Sequence, residues 1–450
     1  MTSTGQALAG LRDLDVTTDP DVLEAYRRDQ AAISFLEPGM PAALIRPRTL
    51  GDVRDTLRVA AANGIPVVPR GAGSGLSGGA NAVDGCLVLS LDRMTEVAIE
   101  PAAMVAVAQP GAITDSVKSA AAQHGLRYPP DPASSAFSTI GGNVATNAGG
   151  LCCVKHGVTR DFVLGLEAVM PGGEVLRAGG RARKDVVGYD LRSLLCGSEG
   201  TLAVVTEATL RLIPQTNGAA TLAASFPDLA DAGRAVAAIM RRFVPSLLEL
   251  MDRASINAVE DLEPMDLDRE AGAMVFARSD AGLSVADAMA ELCEGLNASI
   301  VVTSDEQAEG RMLMAARRLA YPALERLGAT LLDDVGVPLD QLAPLLAGIE
   351  RIASERGVLI GTFGHAGDGN MHPTIVYDHR DADVTGRALL AFHDILSLAL
   401  ALGGTVTGEH GVGLLKRDAA ALQLGSAHRL CLGVKALFDP RGILNPGKVL

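Results

Sequence analysis

The chain of 450 residues has no tryptophan, and aromatic residues make up only 3% of it. That scarcity argues against the stacking platforms on which single-stranded nucleic acid is held. Positive charge is short as well: 53 acidic residues face 39 basic ones, a formal net charge of -14. The overall field repels polyanions, so no nucleic-acid partner is expected. A small anionic substrate is still admissible where local cations or a metal reverse the sign. The six cysteines (Cys86, Cys152, Cys153, Cys196, Cys293, Cys431) contain no CxxC and no regular spacing. Neither a zinc ribbon nor a disulfide framework is indicated, and a reducing cytoplasm fits best. The start "MTSTGQALAGLRDLDV" lacks a basic stretch followed by an apolar run, so no secretory signal is read. The longest apolar run, Ala388 to Leu402, contains His393 and Asp394. It is too short to span a bilayer and reads as a buried helix stopped by Gly403 and Gly404, so no transmembrane segment is expected.

With 48% hydrophobic and 20% charged residues the chain is an ordinary globular protein, long enough for two or three domains at about 150 residues each. Residues 1–35 read as a polar, helical docking segment. From 36 to 213 short β-rich runs alternate with glycine and proline punctuation around one βαβ-like unit, an α+β domain. From 214 to 425 amphipathic helices ("FPDLADAGRAVAAIMRRF", "EGRMLMAARRLAYPALERLG") alternate with strand candidates ("LLELMD", "GAMVFARS", "SIVVTS", "VLIGTFG"). That pattern predicts an antiparallel sheet with helices on one face. The tail 426–450 is too short to fold alone and must pack on the rest.

Glycine is abundant, and its clustering is informative. In "PRGAGSGLSGGA" Gly71, Gly73, Gly75 and Gly78 let successive N–H groups turn into one concavity suited to a pyrophosphate. The loop has neither the GK[ST] of a P-loop nor a full GxGxxG, because Leu76 stands at the third glycine. A second cluster, "STIGGNVATNAGG", follows the rigid "YPPDPAS", and a third stretch, "LLCGSEGTLAVVTEATLRL", leads into a strand. Separated glycine loops in one domain suit a long dinucleotide gripped from two sides.

In "GHAGDGNMH" two histidines flank a bend. With Asp368 and Gly369 at the centre of a type I′ hairpin, His365 and His372 become directly opposed cross-strand partners, close enough for both imidazoles to bind one metal ion. A third ligand is needed, and "GGTVTGEHGVG" offers both Glu409 and His410; such a site with an open position suits Zn²⁺ or Mn²⁺ as a Lewis acid. Asp368 and Asn370 read as turn and supporting residues. Cys152 and Cys153 beside His156 read as buried small hydrophobes rather than ligands.

The three glycine loops in this order, with "KDVVGYDL" between the second and third, resemble the FAD-binding domain of the vanillyl-alcohol oxidase (PCMH) type. From about Pro41 to Leu450 the chain is similar to the flavin-dependent D-2-hydroxyacid dehydrogenases, the family of the glycolate oxidase large subunit, D-lactate dehydrogenase and D-2-hydroxyglutarate dehydrogenase. The resemblance implies an α+β fold with that FAD domain plus a substrate domain whose antiparallel sheet is covered by helices. It implies that Arg70, Gly71, Ala72, Gly73, Ser74 and Gly75 hold the FAD pyrophosphate, with Pro130, Asp131, Ser138, Gly141, Gly142 and Asn147 on the other side. Glu199, Gly200 and Val205 would lie along the adenosine and ribityl portion, and Asn445 would close over the flavin. Some relatives attach flavin through a histidine in the first loop; Ser74 stands there, so noncovalent FAD is expected.

The same resemblance gives Glu409 to the metal with His365 and His372, proton transfer to His410, and the substrate carboxylate to Arg317. The implied reaction is oxidation of a small D-2-hydroxy acid to the 2-keto acid with hydride passing to flavin N5. A quinone, a cytochrome or an electron-transfer flavoprotein would then be the electron acceptor, and a homodimer is left open. Two departures stand out: Met314 where tryptophan is common, and Leu332 where the hydroxyglutarate enzymes carry a lysine. Three other readings compete, one of them a catalytically silent electron-transfer subunit, which loss of activity on His410→Ala with FAD still bound would exclude. A flavin-free metal hydrolase would be colourless, and a non-oxidative FAD synthase of ether lipids would carry a histidine-dense segment that "GHAGDGNMH" does not reproduce.

Overall fold

The computed structural model describes residues 8–32, 34–216 and 218–450. The chain forms two compact units: the first comprises 1–149, 158–215 and 409–450, the second 150–157 and 216–408. The sequence-based boundary at 425 thus differs from the crossing observed, which lies between Gly408 and Glu409.

The first unit begins with β1 (Val16–Thr17), β2 (Ala43–Ile45), β3 (Val67–Arg70) and β4 (Leu87–Ser90), a sheet of order β1-β2-β4-β3 in which β2 and β3 both run parallel to β4. The helix Leu50–Asn63 connects β2 to β3. It starts at a reciprocal cap, with Thr49 accepting from the Asp52 N–H and Asp52 accepting from the Thr49 N–H, and it ends at left-handed Gly64. Expected as helical, the N-terminal segment also donates strand β1 to this sheet, ahead of the short helix Pro20–Ala25. Next come β5 (Val97–Glu100), β6 (Val105–Ala108), β7 (Leu126–Arg127), β8 (Val163–Val169), β9 (Val175–Gly179), β10 (Val204–Arg211) and β11 (Ile213–Pro214). Five of them form an antiparallel sheet, β5-β6-β10-β8-β9. The tail packs back as its composition requires. Ile443 and Leu444 are buried with β2–β4, and the Val67 and Asn445 N–H groups bond to Ile443 O and Val67 O, laying the tail parallel to β3.

In the second unit β12 (Ala220–Phe226), β13 (Leu247–Asp252), β14 (Ala273–Ser279), β15 (Ile300–Ser304), β16 (Ala329–Leu332), β17 (Val335–Gly336), β18 (Leu359–His365) and β19 (Asn370–Tyr377) build one antiparallel sheet. Its order is β15-β12-β14-β13-β18-β19-β16, with β17 also on β19. Helices cover both faces, not one. Ala223, Leu247, Met251, Phe276 and Phe363 pack against the helices Arg253–Leu262 and Ala315–Glu325. The alternate residues Leu222, Leu248, Leu250, Val275 and Ala277 are equally buried, because the helices Leu229–Met240, Leu283–Glu294, Leu342–Arg356 and Ala382–Ala401 lie against the sheet or against one another. A strand buried on both sides loses its polar alternation, which is why the sequence did not betray the second layer.

Two further expectations need correction. "EGRMLMAARRLAYPALERLG" is two helices, Gln307–Leu313 and Ala315–Glu325, broken at buried Met314. The apolar run extends to a 20-residue helix, Ala382–Ala401, which by length and composition alone could cross a membrane. It is amphipathic rather than wholly buried: Ala388, Ala391, Phe392, Ile395, Leu396 and Ala399 face inward while Leu390 is exposed.

Candidate active site

In the first unit the three glycine loops converge. A Cβ on Gly71 would lie 2.4 Å from Thr139 Oγ1, so the first and second loops touch where only glycine fits. The third loop is tied to the helix Ile140–Thr146 through Gly197 N–H to Val144 O (2.9 Å) and Glu199 N–H to Ala145 O (2.8 Å). Gly200, at φ +69°, sits over the Pro69 ring. Asn147 caps the helix in the left-handed region and accepts from the Arg160 N–H.

Arg70 ends β3 with its guanidinium beside left-handed Gly73. It is 8% exposed, and its Nη1 has no hydrogen-bond partner among the described residues. A buried, orphaned cationic donor between glycine-rich loops fits a pyrophosphate oxygen. Ala72, Ser74 and Gly75 continue the loop, and Gly75 O accepts from Gln30 N–H. Buried Ser138 lies against Thr114, Gly141 is held at Pro110, and Gly142 N–H donates to Thr139 Oγ1. Pro130 is buried, Asp131 is paired with Lys118, and Val205 lies half-buried in β10.

Sequence reasoning missed Asp29, Asn81 and Lys448, which brace these loops together with Asn445. Asp29 accepts from Ala31 N–H and Ala80 N–H, and Asn81 Oδ1 accepts from Asp29 N–H. Asn445 Nδ2 donates both to Gly79 O (2.9 Å) and to Glu199 O (2.8 Å), joining the first loop to the third. Lys448 in turn donates to Asn445 Oδ1 (2.6 Å), and burial lowers its ammonium to about 8. Signals for Asp29 and Lys448 do not exist in periodicity, since each is a single charge in a loop.

Glu199 carries more than a loop backbone. Its carboxylate accepts from Val412 N–H (2.7 Å) and Gly413 N–H (3.0 Å), and Ser77 Oγ donates to Gly411 O (2.9 Å). The segment with Glu409 and His410 is therefore fixed by the first and third loops. Burial raises the Glu199 carboxyl to about 7 against the pull of the two N–H groups. A raised folded-state value stabilises the fold at low pH, and that contribution fades as pH climbs from about 4.5 through about 7. Denaturant midpoints of Glu199→Gln relative to the parent should accordingly shift in favour of the variant over that window and stay level above it. A constant offset at all pH values would contradict the assignment.

The second unit assembles the other candidates. The strands β18 and β19 pair Phe363 with His372, Gly364 with Met371 and His365 with Asn370. His365 and His372 are thus diagonal, not directly opposed as the type I′ hairpin predicts. The reason is the turn, a 3-10 turn over Ala366–Asp368 followed by left-handed Gly369. A type I′ turn needs two positive φ values, and Asp368 does not supply the first. A register shift of two leaves the facing unchanged, so both rings still project from one face, centroids 5.0 Å apart and nearly perpendicular.

Both histidines are buried, 7% and 4% exposed, and each has a buried carboxylate behind Nδ1. For His365 it is Glu249 Oε1 of β13 at 2.8 Å; for His372 it is Asp334 Oδ1 at 3.6 Å. An ionised carboxylate only accepts, so the His365 proton belongs on Nδ1 and Nε2 is its acceptor nitrogen. Asp334 is held by Asn370 Nδ2 (2.8 Å), Thr407 Oγ1 (2.7 Å) and Gly408 N–H (3.0 Å). The chain leaves this unit at Gly408, one peptide bond before Glu409.

Arg317, 8% exposed, pairs through Nη2 with Glu249 Oε2 at 2.8 Å and stacks over the Phe363 ring at 4.7 Å. Its Nε has no hydrogen-bond partner among the described residues. Burial works to raise the Glu249 carboxyl, but its contacts with His365 and Arg317 outweigh it and hold the group below its ordinary value. Met314 is buried and Leu332 half-buried. Cys152 and Cys153 are only half-buried, which corrects their reading as buried hydrophobes.

A profile described as the FAD binding domain matches residues 41–179, and one described as the C-terminal domain of FAD linked oxidases matches 216–449. The chain is 40% identical over 418 residues to the glycolate oxidase subunit GlcD of Bacillus subtilis, covering 91% of this chain and 89% of that one. It is 36% identical over 441 residues to a D-lactate dehydrogenase of Archaeoglobus fulgidus, covering 95% and 96%. Among solved structures, p-cresol methylhydroxylase superposes with a TM-score of 0.81 at 17% identity over 99% of this chain and 96% of that chain. A 4-ethylphenol oxidase from Gulosibacter chungangensis gives 0.80 at 18% identity over 99% and 97%. These likenesses fix the fold as the α+β vanillyl-alcohol oxidase type.

Proposed function

The chain belongs to the FAD-linked oxidases, as an oxidoreductase of the glycolate oxidase and D-lactate dehydrogenase type, and on that premise we propose that it oxidises a small D-2-hydroxy acid to the 2-keto acid with help from a divalent metal. The observation that carries this reading is the buried group on one face of the second unit's sheet: one guanidinium with an unused Nε, and two imidazoles each backed by a carboxylate. Arg317 binds the substrate carboxylate. His365 and His372, joined by Glu409, are the donor set for Zn²⁺ or Mn²⁺. His410 takes the hydroxyl proton on its imidazole.

FAD, held noncovalently by the three glycine loops, supplies the two-electron acceptor. The bound cation would supply Lewis acidity at the substrate hydroxyl. Leu332 favours small substrates such as glycolate or lactate over a long diacid, since no cation stands there for a second carboxylate. Cys86, Cys196 and Cys293 are buried thiols with no disulfide partner among the described residues, which supports the reducing cytoplasm we propose. A quinone, a cytochrome or an electron-transfer flavoprotein would reoxidise the enzyme.

Anaerobic mixing of the FAD-loaded protein with D- and L-2-hydroxy acids tests the reading. Bleaching of the visible flavin bands by short D-acids, with release of the 2-keto acid, is expected. Failure of every hydroxy acid to bleach the flavin would overturn it.

A further inference from the structure

Resting on the reading above, we propose that Glu249 is a positioning residue that sets the spacing between the carboxylate-binding Arg317 and the metal-binding His365. Glu249 lies in the middle of β13, fully buried, in a run that is otherwise "LL" before and "LM" after. An apolar residue would stabilise such a strand more, because a buried carboxylate costs several kcal/mol unless every lone pair is engaged. What the carboxylate does there is bridge: Oε1 meets His365 Nδ1 and Oε2 meets Arg317 Nη2, both at 2.8 Å.

A 2-hydroxy acid carries its carboxylate and its hydroxyl on adjacent carbons. The enzyme must therefore hold the group that grips one and the group that polarises the other at a fixed separation. One rigid carboxylate hydrogen-bonded to His365 and ion-paired with Arg317 does so, and it also fixes the His365 tautomer that presents Nε2. Pairing places Leu250 opposite Gly364 and Met251 opposite Phe363, which puts Glu249 on the same face as Phe363 and His365. Glycine at 364 keeps the strands close, since a Cβ there would strike Asn370 O at 2.6 Å.

The test compares Glu249→Gln and Glu249→Asp with Asp252→Asn. Asp252 is another buried carboxylate of the same strand that caps the helix Arg253–Leu262 and accepts from Thr362 N–H rather than from Arg317 or His365. Zinc affinity is measured by chelator competition, alongside KM, kcat and FAD content. Glu249→Gln turns an amide N–H₂ toward one of two donors, so zinc affinity should fall about 10- to 100-fold and KM should rise more than kcat falls, with FAD content intact. Glu249→Asp, shorter but charged, should recover part of the zinc affinity; if the Gln variant does not fold, the zinc affinity and KM of Glu249→Asp decide alone. Asp252→Asn should leave zinc affinity unchanged.

Zinc affinity and KM at parental values in both Glu249 variants would overturn the proposal, as would an equal zinc loss in Asp252→Asn. A parent protein that takes up no zinc or manganese and is bleached by no hydroxy acid would overturn the proposed function itself, and this inference with it.

Discussion

Replacing His410 by alanine is expected to lower kcat for a D-2-hydroxy acid by about 10²- to 10⁴-fold, the usual span for loss of a positioned proton acceptor, while the protein stays yellow. The separation of the two effects follows from how the segment is held. Its backbone is fixed by Glu199 at Val412 and Gly413, and by Ser77, which donates to Gly411 O and accepts from Leu414 and Leu415 N–H. None of these bonds uses the imidazole. Truncation therefore leaves the Gly411–Leu415 turn and the glycine loops behind it in place. Single-turnover bleaching should slow by the same factor as kcat, and KM should change little. A variant that bleaches as fast as the parent would mean that the hydroxyl proton leaves by another route.

That segment also shows what a sequence can and cannot disclose. The glycine loops were legible because close approach and left-handed backbone leave a compositional trace, and the structure explains it: a Cβ at Gly71 would clash with Thr139, and Gly200 sits at a positive φ close to Pro69. The strands of the second unit were legible as short apolar runs bounded by turn residues. The diagonal register of His365 and His372 was not. It depends on whether Asp368 or only Gly369 takes a positive φ, and both residues tolerate that conformation.

Glu249 was invisible for a different reason. A single acid inside "LLELMD" is indistinguishable from the solvated position of a half-exposed strand until the second helical layer is known to cover it. Asp334 was hidden likewise, as one of two adjacent aspartates in a connection between short strands. Both lie fully buried, and both do their work through partners distant in sequence, His365 by 116 positions and Thr407 by 73. Long-range electrostatic pairing has no period, so it escapes pattern reading where helices and strands do not.

The second large effect concerns the metal. Dialysis of the protein against a strong chelator is expected to abolish turnover, and Zn²⁺ or Mn²⁺ to restore it in the parent but not in His372→Ala at the same concentration. Loss of Lewis-acid help worth several kcal/mol corresponds to about 10²-fold or more in rate. His372 is the informative ligand to remove because its scaffold does not depend on the ring. Asp334 keeps its bonds to Asn370, Thr407 and Gly408, and β19 keeps its pairing with β16 and β18. The FAD loops belong to the other unit, so flavin content serves as an internal control for folding. Zinc titrated into the chelated parent should also raise its thermal midpoint, since a ligand that binds only the folded state stabilises it by mass action, and His372→Ala should lose that shift. If chelated protein turned over at the parental rate, Arg317 and His410 would have to suffice. The buried carboxylates behind both imidazoles would then serve the fold alone, at a cost in desolvation that hydrophobic residues at 249 and 334 would have avoided.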